Sequence, residues 1–196
     1  MSGKTKEFSL NAKEKKFCLE LAKKSVEYSL RNDCLLKLDE KEMKKVPKKL
    51  LEEKACFVTL MIGKELRGCI GHLTSFQPLY KDIIENAYAA AFSDPRFVSL
   101  RKEEFSSLAF EISVLTDPMG FDFSSAEDLL KKISPGKDGL IISKGFNQAT
   151  FLPSVWEQLP KKEDFLRHLC MKAGLTPEEW QKPGLRVKKY RTIKVK

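Results

Sequence analysis

The six residues Leu66-Arg67-Gly68-Cys69-Ile70-Gly71 hold the chemistry that is easiest to recognise in this chain. A thiol and a guanidinium stand two positions apart, with a glycine on either side of the Cys69-Ile70 pair. If the segment is a strand, Arg67 and Cys69 share one face about 7 Å apart. A nearby cation favours the thiolate, which is the reactive form of cysteine. Gly68 and Gly71 remove side-chain bulk, so another backbone or a ligand can approach the thiol closely. The alternative is a small apolar residue packed under a turn, the commoner fate of a free cysteine. The motif marks a site without naming a reaction.

Other candidates are few. His72 lies three residues beyond Cys69, and a Cys–His pair supports acyl or thiol chemistry. Strict alternation, however, puts the two side chains on opposite faces. In Asp94-Pro95-Arg96-Phe97, Arg96 could bind an anion, or could close the turn through a salt bridge. Glu111 lies on the non-core face of its strand, where it could pair with Arg67 or Arg96 or face water. Cys18, Cys56 and Cys170 fall in apolar patterns and read as core. Five scattered cysteines with no C-x-x-C pair, and only two histidines, argue against a disulfide framework or a structural metal. Gly63 and Gly68 have the opening spacing of a P-loop, but Cys69-Ile70 replaces its Lys and Ser/Thr. No cofactor motif is present.

These residues need elements to hold them. Asn11 with Glu14 forms a capping box opening a helix to about Arg31, with Phe17, Leu21 and Tyr28 on one face. Asn32 to Lys54 reads as a polar linker with a short helical piece, and Pro47 breaks it. Ala55 to Ile62 and Glu65 to Gly71 form a hairpin across Gly63-Lys64. Ser75 and Pro78 start a helix to about Phe92, and Asp94-Pro95 stops it. Leu108 to Leu115 alternates as a strand. Ser125 with Asp128 opens a short helix. Gly139 to Ser143 and Ala149 to Leu152 form a second hairpin, followed by helices at Pro153 to Gln158, Lys161 to Ala173 and Pro177 to Gln181. The tail from Leu185 alternates as a closing strand. Hairpins dominate the strand pairs, which indicates an α+β fold rather than a doubly wound sheet.

The net charge of +9 is concentrated at the end of the chain. Residues 182–196 carry seven basic side chains and no acid, leaving 29 basic against 27 acidic residues elsewhere. On one strand, Arg186, Lys188, Tyr190, Lys194 and Lys196 share a face. With Lys189 and Arg191 they could grip RNA or DNA phosphates while Tyr190 stacks a base. The simpler reading is a lysine-guarded edge strand. No apolar run approaches the roughly 18 to 20 residues of a membrane span. The Lys-rich start lacks the pattern of a secretory signal, and a cytoplasmic location is expected.

From about Phe8 onward the chain resembles the AMMECR family. Its bacterial and archaeal members are called AmmeMemoRadiSam system protein A. The resemblance rests on LRGCIG, on Phe57-Val58-Thr59-Leu60 before it, and on the alanine-rich helix with Asp94-Pro95-Arg96-Phe97 after it. It continues through Glu111-Ile112-Ser113-Val114-Leu115, Gly139-Leu140, Leu152-Pro153 and Lys172-Ala173-Gly174-Leu175. It implies one domain over residues 8–196 behind a flexible N-terminus of residues 1–7. The implied fold is α+β, a curled, barrel-like mixed sheet of hairpins flanked by helices. The resemblance also implies two unequal lobes with the motif in the cleft between them. It further implies partnership with a Memo-type protein, related to extradiol dioxygenases, and a radical SAM protein. The residues carried over are Arg67, Gly68, Cys69, Gly71, Asp94 and Arg96. His72 falls outside the motif, where relatives often have Ser or Thr. Asp138 and Ser154 depart from the family, which often has a histidine and an acid or amide there. The resulting expectation is a protein that binds an anionic small molecule or modified base, with Cys69 as a reactive or contacting thiol. A nucleic-acid-binding module and a ligand-free scaffold are the alternatives.

Overall fold

The computed structural model describes residues 8–196, so the expected flexible segment 1–7 lies outside the described residues. In chain order the first elements are α1 (Ala12–Asn32), α2 (Glu40–Met43), β1 (Cys56–Ile62), β2 (Glu65–Gly71), α3 (Leu79–Phe92), β3 (Leu108–Leu115) and β4 (Met119–Gly120). Then come α4 (Ala126–Lys132), β5 (Gly139–Lys144), β6 (Asn147–Phe151), α5 (Lys162–Lys172), β7 (Arg186–Tyr190) and β8 (Thr192–Val195). Short 3-10 turns occupy Lys48–Leu51, Lys102–Ser107, Pro153–Glu157 and Glu179–Gln181. The fold is α+β, as the hairpin pattern indicates. Its strands form two four-stranded sheets, and among the described residues neither closes into a barrel.

The chain divides into two compact units. One runs to Leu115 and takes in Ile193–Lys196; the other is Thr116–Thr192. In the first, the sheet order is β2-β1-β3-β8, with β1 antiparallel to both β2 and β3. Cys56, Val58 and Leu60 of β1 are fully buried, while the alternate Phe57, Thr59 and Met61 are half-buried. α1 opens on the expected capping box: Glu14 N donates to Asn11 Oδ1 at 3.0 Å, and Asn11 N to Glu14 Oε2 at 2.7 Å. Its buried stripe is Cys18, Leu21, Ala22, Ser25, Val26 and Ser29, with Phe17 and Tyr28 on its flanks. Small side chains on that stripe meet the alanines of α3, and Ser25 Oγ donates to Ile84 O at 2.8 Å. Close helix approach is what small facing residues permit.

The second unit has the order β4-β7-β5-β6, every pair antiparallel. Its core gathers Leu140 and Ile142 of β5, Phe165, Leu166 and Leu169 of α5, and Trp156 and Trp180. Trp156 stacks on Phe165 with centroids 3.7 Å apart, and its indole N–H donates to Asp138 O at 2.7 Å.

The tail corrects one expectation. It is two strands in two different sheets, β7 in the second unit and β8 in the first. Arg191 breaks it, exchanging bonds with Thr116: its N donates to Thr116 Oγ1 at 2.8 Å and its O accepts from Thr116 N at 2.9 Å. Lys194 and Lys196 therefore belong to a different strand and a different unit from Arg186 and Lys188. Tyr190 is 2% exposed, laid over Gly139, where an added Cβ would stand 2.5 Å from its ring. Its hydroxyl lies 3.0 Å from Thr150 Oγ1 and donates to Phe151 O at 3.1 Å. A ring sealed in this way cannot stack a base.

Candidate functional site

β2 is an edge strand, and an edge leaves backbone N–H and C=O groups without partners. At Cys69 two side chains take the place of the missing strand. Asp94 Oδ2 accepts from Cys69 N at 2.8 Å, and Arg96 Nη2 donates to Cys69 O at 3.1 Å. Asp94 and Arg96 are themselves joined, through Arg96 Nε at 2.9 Å and Nη2 at 2.7 Å. α3 delivers them: it ends at Phe92, and Asp94-Pro95 forms the turn, with Phe97 N donating to Asp94 O at 3.1 Å. Arg96, aided by the Cys69 and Arg96 amides, holds the buried Asp94 carboxyl well below the usual carboxylate range. Asp94 in turn raises Arg96 above the ordinary guanidinium value, with a small further contribution from Cys69.

Arg67 does not lie beside the thiol in the way that regular alternation implies. β2 shifts register here: Gly68 pairs with Leu60 and Leu66 with Met61, leaving Arg67 as the extra residue of a bulge. A bulge re-aims its side chain. Arg67 Nε donates to Glu104 Oε1 at 2.7 Å and Nη2 to Glu104 Oε2 at 3.1 Å, a two-pronged pair. Nη2 also donates to Val98 O at 2.9 Å. Arg67, aided by the Arg101 amide, lowers the Glu104 carboxyl to about 2. Phe97 lies between the guanidiniums of Arg67 (6.0 Å) and Arg96 (5.5 Å). Together these contacts strap residues 94–104 along the edge of β2.

The glycines admit the protein's own backbone. A Cβ at Gly68 would stand 2.0 Å from Ala90 O of α3, and one at Gly71 would stand 2.4 Å from Cys56 O. Gly68 thus faces α3, and Cys69 the opposite side. There the half-buried thiol lies 3.2 Å from Thr59 Oγ1. Thr59 is the cross-strand partner of both Cys69 and Glu111, so thiol, hydroxyl and carboxylate form one row over three strands. Glu111 pairs with Lys196, at 2.7 Å, rather than with Arg67 or Arg96. Neither Thr59, inside Phe57-Val58-Thr59-Leu60, nor Glu104 shows site chemistry in the sequence; the strand register and the chain reversal after Phe97 bring them to the site.

His72 follows the α3 side. Its Nδ1 lies 2.7 Å from Asp82 Oδ1, and Asp82, 1% exposed, also accepts from Cys56 N, Gln77 Nε2 and Asn86 Nδ2. No Cys69–His72 hydrogen bond forms. Asp82 and Asn86 at i, i+4 on an otherwise apolar helix face were the available signal for this cluster. Burial raises Cys18 to about 12, raises Cys56 well above its ordinary value and raises Cys170. Those three thiols are core, as their patterns indicate. Among the described residues no three His, Cys, Asp or Glu side chains converge to hold a metal ion. Among the described residues, no helix is long and apolar enough to cross a membrane.

Two antiparallel sheets in two units, with an edge strand stitched at a glycine-flanked cysteine, define an α+β protein with a fixed, half-exposed thiol. A family profile described as AMMECR1 matches residues 19–195, and the chain belongs to that family. It is 39% identical to Protein MJ0810 of Methanocaldococcus jannaschii over 151 residues, covering 74% of this chain and 73% of that protein. A protein of Thermofilum pendens is 35% identical over 196 residues, covering 92% of this chain and 88% of that one. The crystal structure of the uncharacterized protein PH0010 from Pyrococcus horikoshii superposes with a TM-score of 0.82 at 32% identity. It covers 94% of this chain and 92% of that one.

Proposed function

We propose that this chain binds a small anionic molecule or modified base against the Cys69 thiol, as the AMMECR component of an AmmeMemoRadiSam-type system. Its partners would then be a Memo-type and a radical SAM protein. The observation that carries the reading is that both backbone polar groups of Cys69 are tied to one ion pair, Asp94–Arg96, while the thiol stays half-exposed. A backbone fixed this firmly presents its side chain without further ordering on binding. Arg67 is 11% exposed at its side chain and held by Glu104, so its role is positioning. Arg96, 54% exposed, is the cation a bound anion would meet. Gly68 and Gly71 serve close packing, and Glu111, with Lys196, lies at the far end of the row. The nucleic-acid reading loses its stacking residue with Tyr190 and its continuous stripe with the division of the tail.

Isotope-coded iodoacetamide footprinting of the full chain, with and without a panel of phosphate and carboxylate metabolites, tests the proposal. At least one should protect Cys69 while leaving the exposed Cys34 unchanged. If none protects Cys69, and Cys69→Ser leaves the host cell's metabolite profile unchanged, the reading is overturned.

A further inference from the structure

A cavity lies wholly within the unit Thr116–Thr192. β4 pairs with only two residues of β7, Lys188 and Lys189. After Phe121 N donates to Val187 O at 3.4 Å, no further bond joins the two segments among the described residues. Between them opens a space of about 640 Å³, within the range that small-molecule sites occupy. Phe121, Phe123 and Trp180 line it, and at its rim stand Arg186, Lys188 and Asp122.

Two features of this cavity point to a ligand, and a third group stands beside it: the indole N–H of Trp180, sealed within the wall, has no acceptor among the described residues. The other indole, of Trp156, is bonded to Asp138 O. Buried N–H groups are nearly always paired, because leaving one unpaired forfeits its hydration with nothing in return. Arg186 and Lys188 are exposed, and among the described residues neither has a carboxylate within ion-pair distance. Neighbouring cations are paired, Lys144 and Lys182 with Glu179. Finally, the apolar lining includes three aromatic rings, which suit a flat ligand.

We propose that this cavity binds a small aromatic anion of the nucleoside monophosphate type. The ring lies against Phe121, Phe123 and Trp180. Arg186 and Lys188 grip the phosphate, a charge-assisted contact that planar Arg makes with two bonds. Asp122 accepts from a hydroxyl or amino group at the other end. This site is independent of Cys69.

The test uses the full chain with AMP as the probe, followed by the two indole N–H resonances in ¹⁵N-correlated spectra. AMP should shift the Trp180 resonance saturably, with a Kd below about 1 mM, and leave that of Trp156 in place. R186Q/K188Q, on the exposed rim, should weaken AMP about tenfold or more, and adenosine should bind the unaltered chain about tenfold more weakly than AMP. Trp180→Phe should weaken both ligands alike. The proposal is overturned if AMP leaves the Trp180 resonance unmoved, or if R186Q/K188Q binds AMP as well as the unaltered chain does. Single-stranded RNA binding without any response to AMP would overturn it as well.

Discussion

Two sheet edges in this protein meet the same physical problem differently. On β2 the exposed backbone of Cys69 is closed by Asp94 and Arg96, and Arg67 beside it is closed by Glu104. On β7 the ladder with β4 ends after two residues, and the cations there, Arg186 and Lys188, remain unpaired beside a cavity. In the first case charge fixes the backbone and the thiol is what remains for chemistry. In the second the ladder simply stops, and charge is what remains for a ligand. Basic residues in one chain can thus be tied into the backbone or left without an ion pair, and Arg96, paired with Asp94 yet 54% exposed, does the first while still offering a charged face.

The contrast should appear first in how each edge tolerates a methyl group. Gly68→Ala would drive a Cβ into Ala90 O, so a loss of about 3 kcal/mol is expected in thermal or denaturant unfolding. Gly120→Ala on the second edge meets nothing nearer than Lys188 Cγ at 4.0 Å and should change stability by less than about 0.5 kcal/mol. Equal losses at the two positions would erase the difference between a packed and an open edge.

A smaller effect tests the strap itself. Glu104→Gln leaves the largely buried Arg67 guanidinium short of its charged partner, and about 2 kcal/mol of stability should be lost. The same pair gives a pH signature. Glu104 is lowered from 4.5 to about 2 in the folded chain, so its contribution is complete above the ordinary value and fades as pH falls toward 2. Unfolding followed from neutral pH to about pH 3 should show a loss of stability that Glu104→Gln partly lacks. Asp94 acts with the same sign. Parallel acid profiles for the two proteins would mean that the Arg67–Glu104 pair does not stabilise the fold.

Much of the frame was legible because it depends on local sequence. The Asn11–Glu14 capping box, the β1–β2 hairpin across Gly63, α3 with its stop at Asp94-Pro95, and the alternation of β3 all depend on neighbours within a few residues. What was not legible depends on partners far along the chain. The bulge at Arg67 is a property of the pairing with β1, and it is why spacing along β2 misplaced the guanidinium relative to the thiol. The tail alternated as a strand should, yet nothing local says that residues on either side of Arg191 join different sheets. In the sequence, Asp94-Pro95-Arg96 favours a turn-closing salt bridge over an anion site. The structure shows the salt bridge and adds its use, as a surrogate strand for Cys69. Trp180 gave no signal, since an orphaned indole is visible only once every acceptor around it is known.

The smallest expected change is also the most direct test of the central claim, that the β2 edge presents Cys69 as a fixed thiol beside Arg96. Iodoacetamide alkylation rates should be measured per cysteine by mass spectrometry over a series of pH values, in the unaltered chain and in Arg96→Gln. Exposed Cys34 serves as the internal reference, and buried Cys18, Cys56 and Cys170 should stay unmodified while the chain is folded. The account predicts that Cys69 reacts several-fold faster than Cys34, and that Arg96→Gln lowers the Cys69 rate about three-fold without changing that of Cys34. A Cys69 rate no greater than that of Cys34, and indifferent to Arg96→Gln, would contradict it.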